Sequence, residues 1–329
     1  MKPRILYIDG FNLFLANYHA CRELNENCEP IGGLIGSLRQ LKNIVYKFNP
    51  HKIVMVFDGP NAGFRRRAVF KGYKEKRQNK VRDLVFNIGN KEEKDLVVAS
   101  DNEQVQLAGL FQFLKLLPID LLIIPYHEAD DVIAYLIKKN TQCHSIVVSN
   151  DKDFLQLVND DVNIYQFTKN LLVTKDNFEQ EYKIRRENFL FYRTIIGDVS
   201  DELKGVKGLG TKNLVKAFPE INDTSFKTIT EFWSAIDNLE EKNKTVQKLK
   251  EGRDSSYLMY DIMRLDDTCL NQKAIETMNQ QITEQQHKTF SKMTLKTYCI
   301  KQHLNLHITN FDSWINPFLF LKNDLQLNT

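Results

Sequence analysis

The chain has 329 residues, 42% of them hydrophobic, so it is long enough to bury a substantial core in one large domain or in two. This composition excludes a wholly disordered chain, because disordered segments contain too few apolar residues to form a core. The 45 lysines and arginines nearly balance the 42 aspartates and glutamates, so any preference for polyanions must depend on how charge is distributed rather than on the net charge of +3.

Short apolar runs alternate with helical patterns along the first half of the chain. In chain order, the predicted elements are a strand at 5–8, a helix at 34–48, a strand at 53–57, a helix at 103–117, a strand at 121–124, a helix at 129–139 and a strand at 145–148. Alternating strands and helices are typical of an α/β fold with a mostly parallel sheet, since parallel strands need crossover connections.

The second half of the chain has a different pattern. From about residue 187 the strand signal fades, and helical patterns surround a glycine-rich turn at 205–210 and a polar stretch at 240–288. We therefore expect an α/β domain over residues 1–185 and a helical region over residues 186–329.

Acidic residues follow the predicted strands where these strands end. Because ligands bind outside the carboxyl ends of the strands in open parallel sheets, we expect these acids to converge at one edge. Two acids of the helix at 129–139 and two from the second region are placed to join them. The predicted cluster contains Asp9, Asp58, Glu128, Asp130, Asp131, Asp151, Asp153, Asp198 and Asp201.

So many carboxylates in one pocket require cations, because like charges at close range raise each other's pKa. Oxygen ligands alone favour hard ions such as Mg²⁺, for which Mn²⁺ can substitute. Two ions about 3.5–4 Å apart can activate a water and stabilise the leaving oxygen of a phosphodiester. A single aspartate after a strand is more often a turn or capping residue, so the coincidence at four strand ends is what favours a metal site.

A basic segment follows Asp58. Between Phe64 and Arg82, Glu75 is the only acid, and Phe70 and Tyr73 are interleaved with the charges. The basic residues are Arg65, Arg66, Arg67, Lys71, Lys74, Lys76, Arg77, Lys80 and Arg82. This pattern suits phosphate contacts and base stacking on an unpaired strand, and an ordinary solvated helix face or loop is the alternative.

The glycine-rich turn leads into a predicted helix, with Thr211 as its predicted cap. Such a turn can direct backbone N–H groups at a phosphate. Gly205, Gly208 and Gly210 shape it, and Lys207, Lys212 and Lys216 flank it. Glycines near helix ends are equally often simple caps, so the turn by itself is a weak signal.

Six blocks in this sequence resemble, in order, the 5′ nuclease family, which includes bacteriophage 5′-to-3′ exonucleases, flap endonucleases and the N-terminal domain of bacterial DNA polymerase I. The matching blocks are 8–13 (IDGFNL) with 18–20 (YHA), 56–58 (VFD), 73–77 (YKEKR), 128–133 (EADDVI), 151–153 (DKD) and 197–212. The resemblance implies a PIN-like sheet over 1–185, a basic arch at about 64–117 and a helix-hairpin-helix type motif at about 190–218.

The resemblance also implies roles for individual residues. The first metal site would use Asp9, Asp58, Glu128, Asp130 and Asp151, and the second would use Asp153, Asp198 and Asp201, with Asp131 shared or outside. Lys74 and Arg77 would stabilise charge on the scissile phosphate. The turn at 205–210 would hold the DNA duplex, with a K⁺ ion on its carbonyls. Arg65, Arg66, Arg67, Lys71 and Tyr73 would contact DNA.

Several positions depart from the family pattern. His127 stands where a small residue is usual, Glu202 stands where asparagine is common, and residues 82–106 match the arch weakly. These departures leave the surroundings of Glu128 and Asp201, and the threading of a flap, open.

The expected partner is a DNA duplex with a 5′ end, flap or fork. An RNA primer in an RNA–DNA hybrid, a sliding clamp and a single-strand-binding protein are further expected partners, and the chain is expected to be a monomer. Five scattered cysteines without a CxxC pair favour reduced thiols, and the absence of an apolar leader or an 18-residue apolar span favours a cytoplasmic protein away from membranes.

Two alternatives remain open on the sequence alone. A third, a haloacid-dehalogenase-type phosphatase, is disfavoured because it would need an aspartate where Phe11 stands. A PIN-type ribonuclease shares the sheet and would prefer RNA. A DNA-structure-binding protein without catalysis would bind flaps and leave them intact.

Overall fold

The computed structural model of the protein describes residues 2–74, 102–198, 201–240, 244–266, 269–286, 290–321 and 325–329. Much of the predicted arch, including Arg77, lies outside these residues. Among the described residues, no helix has both the length and the apolar character needed to cross a membrane.

A six-stranded sheet lies at the centre of the fold. Its strands are β1 (Arg4–Asp9), β2 (Lys52–Asp58), β3 (Asp120–Ile124), β4 (His144–Val148), β5 (Val162–Gln166) and β6 (Leu171–Val173). Their order is β3-β2-β1-β4-β5-β6, and only the β5–β6 pair is antiparallel. The predicted mostly parallel sheet is confirmed. The sequence analysis missed β5 and β6, because β6 is short and Asn163 interrupts the apolar run of β5.

Helices cover both faces of the sheet, as parallel strands require. Within the described ranges, the first five are α1 (Gly10–Ala20), α2 (Gly32–Phe48), α3 (Phe64–Val69), α4 (Asn102–Leu114) and α5 (Ala129–Lys139). One core layer joins α1, α2 and α4 to side chains such as Ile8 and Phe57, and the other joins α5 to side chains such as Tyr7 and Val56. The three predicted helices are confirmed.

The charged residues of α5 explain why the helix begins and ends where it does. Glu128 precedes the helix in an extended conformation, and Asp130 and Asp131 occupy its first turn. Lys138 and Lys139 occupy the last turn. Acids at the N-terminus and bases at the C-terminus both complement the helix dipole.

The second region is mostly helical, as predicted. Its helices up to residue 263 are α6 (Phe178–Tyr182), α7 (Phe189–Ile196), α8 (Thr211–Ala217), α9 (Glu220–Asp223), α10 (Ile229–Asp237), α11 (Lys244–Glu251) and α12 (Arg253–Met263). Two strands of two residues each, β7 (Gly197–Asp198) and β8 (Leu203–Lys204), pair antiparallel, which the sequence did not indicate.

The predicted cap of α8 is wrong. Gly210 occupies the N-cap position, and Thr211 is the first helical residue. The hydroxyl of Thr211 instead lies 2.7 Å from the Tyr192 hydroxyl, within hydrogen-bonding distance, which ties the start of α8 to α7.

The last helices return to the sheet. They are α13 (Gln272–Gln286), α14 (Lys292–Lys301) and α15 (Phe311–Ile315). Along β3, the Gln281 amide exchanges two hydrogen bonds with the backbone of Ile123, and the Gln285 amide does the same with Leu121. Packing therefore crosses the predicted boundary at residue 185, which stays a prediction.

Candidate active site

The ends of three parallel strands bring the first acids together. Asp9, at the end of β1, accepts hydrogen bonds from the Asn12 backbone at 3.0 Å and from the Ser149 hydroxyl at 3.1 Å. Asp58, at the end of β2, accepts one from the Ala129 backbone N–H at 2.8 Å. These bonds tie β1 to the segment after β4, and β2 to the start of α5, so the sheet topology itself fixes the cluster.

The loop after β4 contributes two more acids. Asp151 donates its backbone N–H to the Ser149 hydroxyl at 3.1 Å, and its carboxylate accepts from the Asp153 backbone at 2.9 Å. A 3₁₀ turn, Asp153–Leu157, begins at the second acid. The loop thus holds the two carboxylates side by side and next to Asp9.

Arg193 connects this loop to the second region. The guanidinium, 6% exposed on α7, lies 3.0 Å from the carboxylate of Asp153, forms an ion pair with Asp198 and donates to the Gly197 carbonyl at 3.2 Å. The sequence analysis missed Arg193. A lone basic residue in the apolar helix FLFYRTII, five residues before Asp198, is the signal that could have identified it.

Arg66 lies at the centre of the acids on the other side. Its guanidinium pairs with Glu128, lies 3.0 Å from the nearest Asp130 oxygen and 3.1 Å from Asp131, and donates from Nε to the Ile262 carbonyl at 2.9 Å. With 2% of the residue exposed, Arg66 is a buried counterion for three carboxylates. It also fixes the end of α12 against α3.

Lys74 and Tyr73 close the pocket from the basic segment. Lys74 Nζ lies 2.7 Å from Glu128 and 3.7 Å from Asp201, and the Tyr73 hydroxyl donates to Glu128 at 3.0 Å. Tyr73 is 2% exposed. Tyr73 and Arg66, both expected to contact DNA, therefore face the acids in this structure.

The other basic residues of this segment that the structure describes lie further out. Arg65 is half-buried and pairs with Asp131 at 3.0 Å, Arg67 is half-buried, and Lys71 is exposed. The predicted role of Arg77 concerns a position outside the described residues.

The nine acids form one electrostatic cluster. Burial and the neighbouring Asp58 raise the pKa of Asp9 to about 7, and burial and Asp151 raise that of Asp153 to about 8. Burial also raises the pKa of Asp151, with Asp130 and Asp201 contributing. The structure thus brings the predicted acids together, with more negative charge than the neighbouring basic side chains neutralise.

This cluster fits hard divalent ions in its donor chemistry, since all nine candidate ligands are carboxylates. Within the described part of the chain, no three acidic, histidine or cysteine side chains are positioned together so that they could hold a metal ion. The contacts of Arg66, Lys74 and Arg193 supply the physical reason, because these cations already draw the carboxylates toward themselves.

The metal-free protein is expected to lose stability as the pH rises from about 6 to about 8. The folded-state pKa values of Asp9 and Asp153, about 7 and about 8, lie above the usual aspartate value near 4. The native state therefore binds more protons than the unfolded chain in this interval, and the resulting stabilisation disappears as the two groups ionise. Melting temperatures measured in EDTA across this interval test the expectation, and a rise with pH would contradict it.

The glycine turn lies beside α7. A Cβ on Gly205 would stand 2.1 Å from the Ile196 carbonyl oxygen, so only glycine fits that close approach. Gly208 has φ +82°, a left-handed conformation that glycine adopts without cost. Lys207, Lys212 and Lys216 are exposed around the turn. Lys248 on α11, which the sequence analysis missed, places its Nζ 3.5 Å from where a Cβ of Gly208 would be.

Comparison with known proteins gives consistent results. The sequence profile described as "5′-3′ exonuclease, N-terminal resolvase-like domain" matches residues 4–183. A 5′-3′ exonuclease of Buchnera aphidicola subsp. Acyrthosiphon pisum is 30% identical over 272 residues, covering 79% of this chain and 86% of that protein. Its counterpart in subsp. Schizaphis graminum is 29% identical over 313 residues, covering 93% and 96%.

A solved structure shares the fold. The bacteriophage T5 flap endonuclease, in a complex with DNA and metal ions, superposes with a TM-score of 0.63 at 19% identity, covering 86% of this chain and 98% of that one.

Proposed function

Because the chain belongs to the 5′-3′ exonuclease family, we propose that it is a structure-specific, metal-dependent 5′ nuclease that hydrolyses DNA phosphodiesters at a 5′ end or flap. Such an activity serves replication, primer removal or repair. The observation that carries the proposal is the convergence of nine carboxylates at one edge of the sheet, under basic side chains from both regions.

One divalent ion would be held by Asp9, Asp58, Glu128, Asp130 and Asp151. A second would be held by Asp153, Asp198 and Asp201, with Asp131 nearby. Mg²⁺, or Mn²⁺ in its place, would supply an activated water and charge stabilisation on the leaving oxygen. The raised pKa values of Asp9 and Asp153 support this assignment, because burial and the neighbouring carboxylates disfavour the ionised forms, which a divalent ion would stabilise.

Lys74 has the position to act on the phosphate. Its Nζ lies at the cluster, between Glu128 and Asp201. A buried ammonium there would neutralise charge that develops on the scissile phosphate as the bond breaks. We propose the same role for Arg77, by its spacing from Lys74 in sequence.

The glycine turn would bind the duplex through backbone groups, with a K⁺ ion on its carbonyls, and the exposed lysines would contact phosphates. Arg65, Arg67 and Lys71 would contact the strand that enters the active site. The proposed substrates include an RNA primer annealed to DNA. The proposed partners include a sliding clamp or a single-strand-binding protein.

Lys207→Ala and Lys212→Ala are each expected to weaken binding of any duplex sequence about equally. Each removed phosphate contact lowers the dependence of the logarithm of affinity on the logarithm of salt concentration by about one. Fluorescence anisotropy across a salt series in EDTA measures this slope. Lys301→Ala, at an exposed position at the end of α14, serves as the matched control. An unchanged slope in both variants would remove these lysines from the interface.

A gel assay tests the proposed activity. A duplex with a 5′-labelled single-stranded flap is incubated with the protein in Mg²⁺ or in EDTA, beside an RNA strand of the same sequence. We expect cleavage near the junction only with metal and preferentially on DNA. Preferred cleavage of the RNA would point to a ribonuclease, and tight binding without cleavage would refute the nuclease assignment.

A further inference from the structure

Two exposed aromatic rings lie together at the edge of the active site. Phe64, the first residue of α3, is 62% exposed, and Tyr126, between β3 and α5, is 54% exposed. Their ring centroids are 6.1 Å apart with an interplanar angle of 77°. Large apolar side chains exposed as a pair mark a surface that is covered when a ligand binds.

Backbone hydrogen bonds join the two loops next to the rings. The Tyr126 N–H donates to the Pro60 carbonyl at 2.8 Å, and the Gly59 N–H donates to the His127 carbonyl at 3.1 Å. The loop after β2 and the loop after β3 are therefore joined. The backbone segments that carry Phe64 and Tyr126 are therefore fixed relative to each other at the edge of the sheet.

Tyr126 occupies an unfavourable backbone conformation. Its φ is +68°, in the left-handed region, where a bulky side chain is an outlier and glycine fits freely. Strained residues of this kind concentrate at ligand-binding sites, where the surrounding structure enforces them. A bulky ring in this conformation beside the acidic cluster is consistent with a ligand contact.

The surroundings of the pair indicate what covers it. Arg65 and Arg67 follow Phe64 directly, and Arg65 reaches Asp131 of the acidic cluster at 3.0 Å. On the other side, only His127 separates Tyr126 from Glu128. Aromatic rings whose chain neighbours are guanidinium groups on one side and the acidic cluster on the other suit a ligand that has both flat rings and phosphates, which is an unpaired nucleotide.

We propose that Phe64 and Tyr126 form a stacking site for an unpaired base of the 5′ strand, adjacent to the scissile phosphate. The proposal rests on the 5′ nuclease function proposed above. The rings hold one flap base while Arg65 and Arg67 contact its phosphates, so the strand enters the acidic cluster in one register. The pair acts on substrate positioning rather than on the chemical step.

The test combines protein variants with abasic DNA. Single-turnover cleavage in Mg²⁺ is measured on flapped duplexes in which each flap nucleotide in turn lacks its base. Phe64→Ala removes an exposed ring, and Tyr126→Gly removes a ring while placing glycine at the left-handed position, so both variants should fold, as melting temperatures will verify. Tyr46→Ala is the control, since Tyr46 is 77% exposed near the end of α2, at the opposite edge of the sheet.

In the wild-type protein, loss of the base at one or two flap positions should raise the half-saturating protein concentration about tenfold. Phe64→Ala and Tyr126→Gly should show a similar increase on intact DNA and no further increase on the abasic substrate. Tyr46→Ala should behave as wild type. The maximal rate should stay within about twofold, as expected for positioning.

The outcomes separate this inference from the proposed function. Absence of flap cleavage by the wild-type protein would overturn both. Cleavage that is insensitive to the abasic position and to both variants would overturn the stacking site alone, and would assign the aromatic pair to a protein partner instead.

Discussion

Asp151→Asn is expected to slow flap cleavage by about 10²–10³-fold while it raises the melting temperature of the metal-free protein. The amide oxygen can still accept the hydrogen bond from the Asp153 backbone, at 2.9 Å in the native protein, so the loop geometry is retained. The variant loses only the negative charge of the Asp151 carboxylate, which is disfavoured in the folded protein because burial, Asp130 and Asp201 raise the pKa of this group. Relief of that repulsion stabilises the fold, whereas loss of a metal ligand removes activity.

Single-turnover cleavage in Mg²⁺ and thermal melting in EDTA measure the two effects. Asp160→Asn is a matched control, because this aspartate is exposed and pairs with Lys175 at the surface. We expect the control to change neither property substantially. An Asp151→Asn protein that cleaves at the wild-type rate would exclude Asp151 from the metal site.

Arg66→Met is expected to lower the free energy of unfolding of the metal-free protein by about 3–5 kcal/mol. The guanidinium is buried and contacts Glu128, Asp130 and Asp131 together, so its removal takes a buried positive charge away from three neighbouring carboxylates. The lost bond to Ile262 also loosens α12. Divalent metal should recover part of the loss, since it supplies positive charge to the same acids.

Urea unfolding in EDTA and in Mg²⁺ measures this difference. Arg67→Met, on the same helix, is the matched control, because its guanidinium donates to the Asn61 carbonyl and the side chain is half-exposed. We expect a loss below about 1 kcal/mol for the control. Equal losses for both variants, with no recovery in Mg²⁺, would show that Arg66 is not the counterion of the cluster.

The sequence predicted the acidic edge because its signals are local. Asp9 and Asp58 each end an apolar run, and parallel strands place such ends together without any knowledge of side-chain contacts. The start of α5 was equally predictable, since Asp130 and Asp131 suit a first helical turn. Strand-end position and topology therefore sufficed for the fold class and the convergence of the acids.

The counterions could not be predicted in the same way. Arg66 meets Glu128 across 62 residues, and Arg193 meets Asp153 across 40. Nothing in local periodicity distinguishes a buried arginine that pairs with acids from an exposed one that binds phosphate. The basic segment was therefore interpreted as one DNA-contacting surface, whereas the structure turns Arg66 and Tyr73 inward.

The amides of Gln281 and Gln285 have a consequence for how the sheet ends. β3 is an edge strand of the sheet. An edge strand with free backbone groups can pair with a strand of another molecule, but side chains of α13 already bond the N–H and C=O groups of Leu121 and Ile123. Gln281 and Gln285 lie one helical turn apart on α13, and their amides form the hydrogen bonds that a seventh strand would otherwise form with β3. Pairing of β3 with a strand of another molecule is therefore disfavoured, because its outward N–H and C=O groups at Leu121 and Ile123 already have partners.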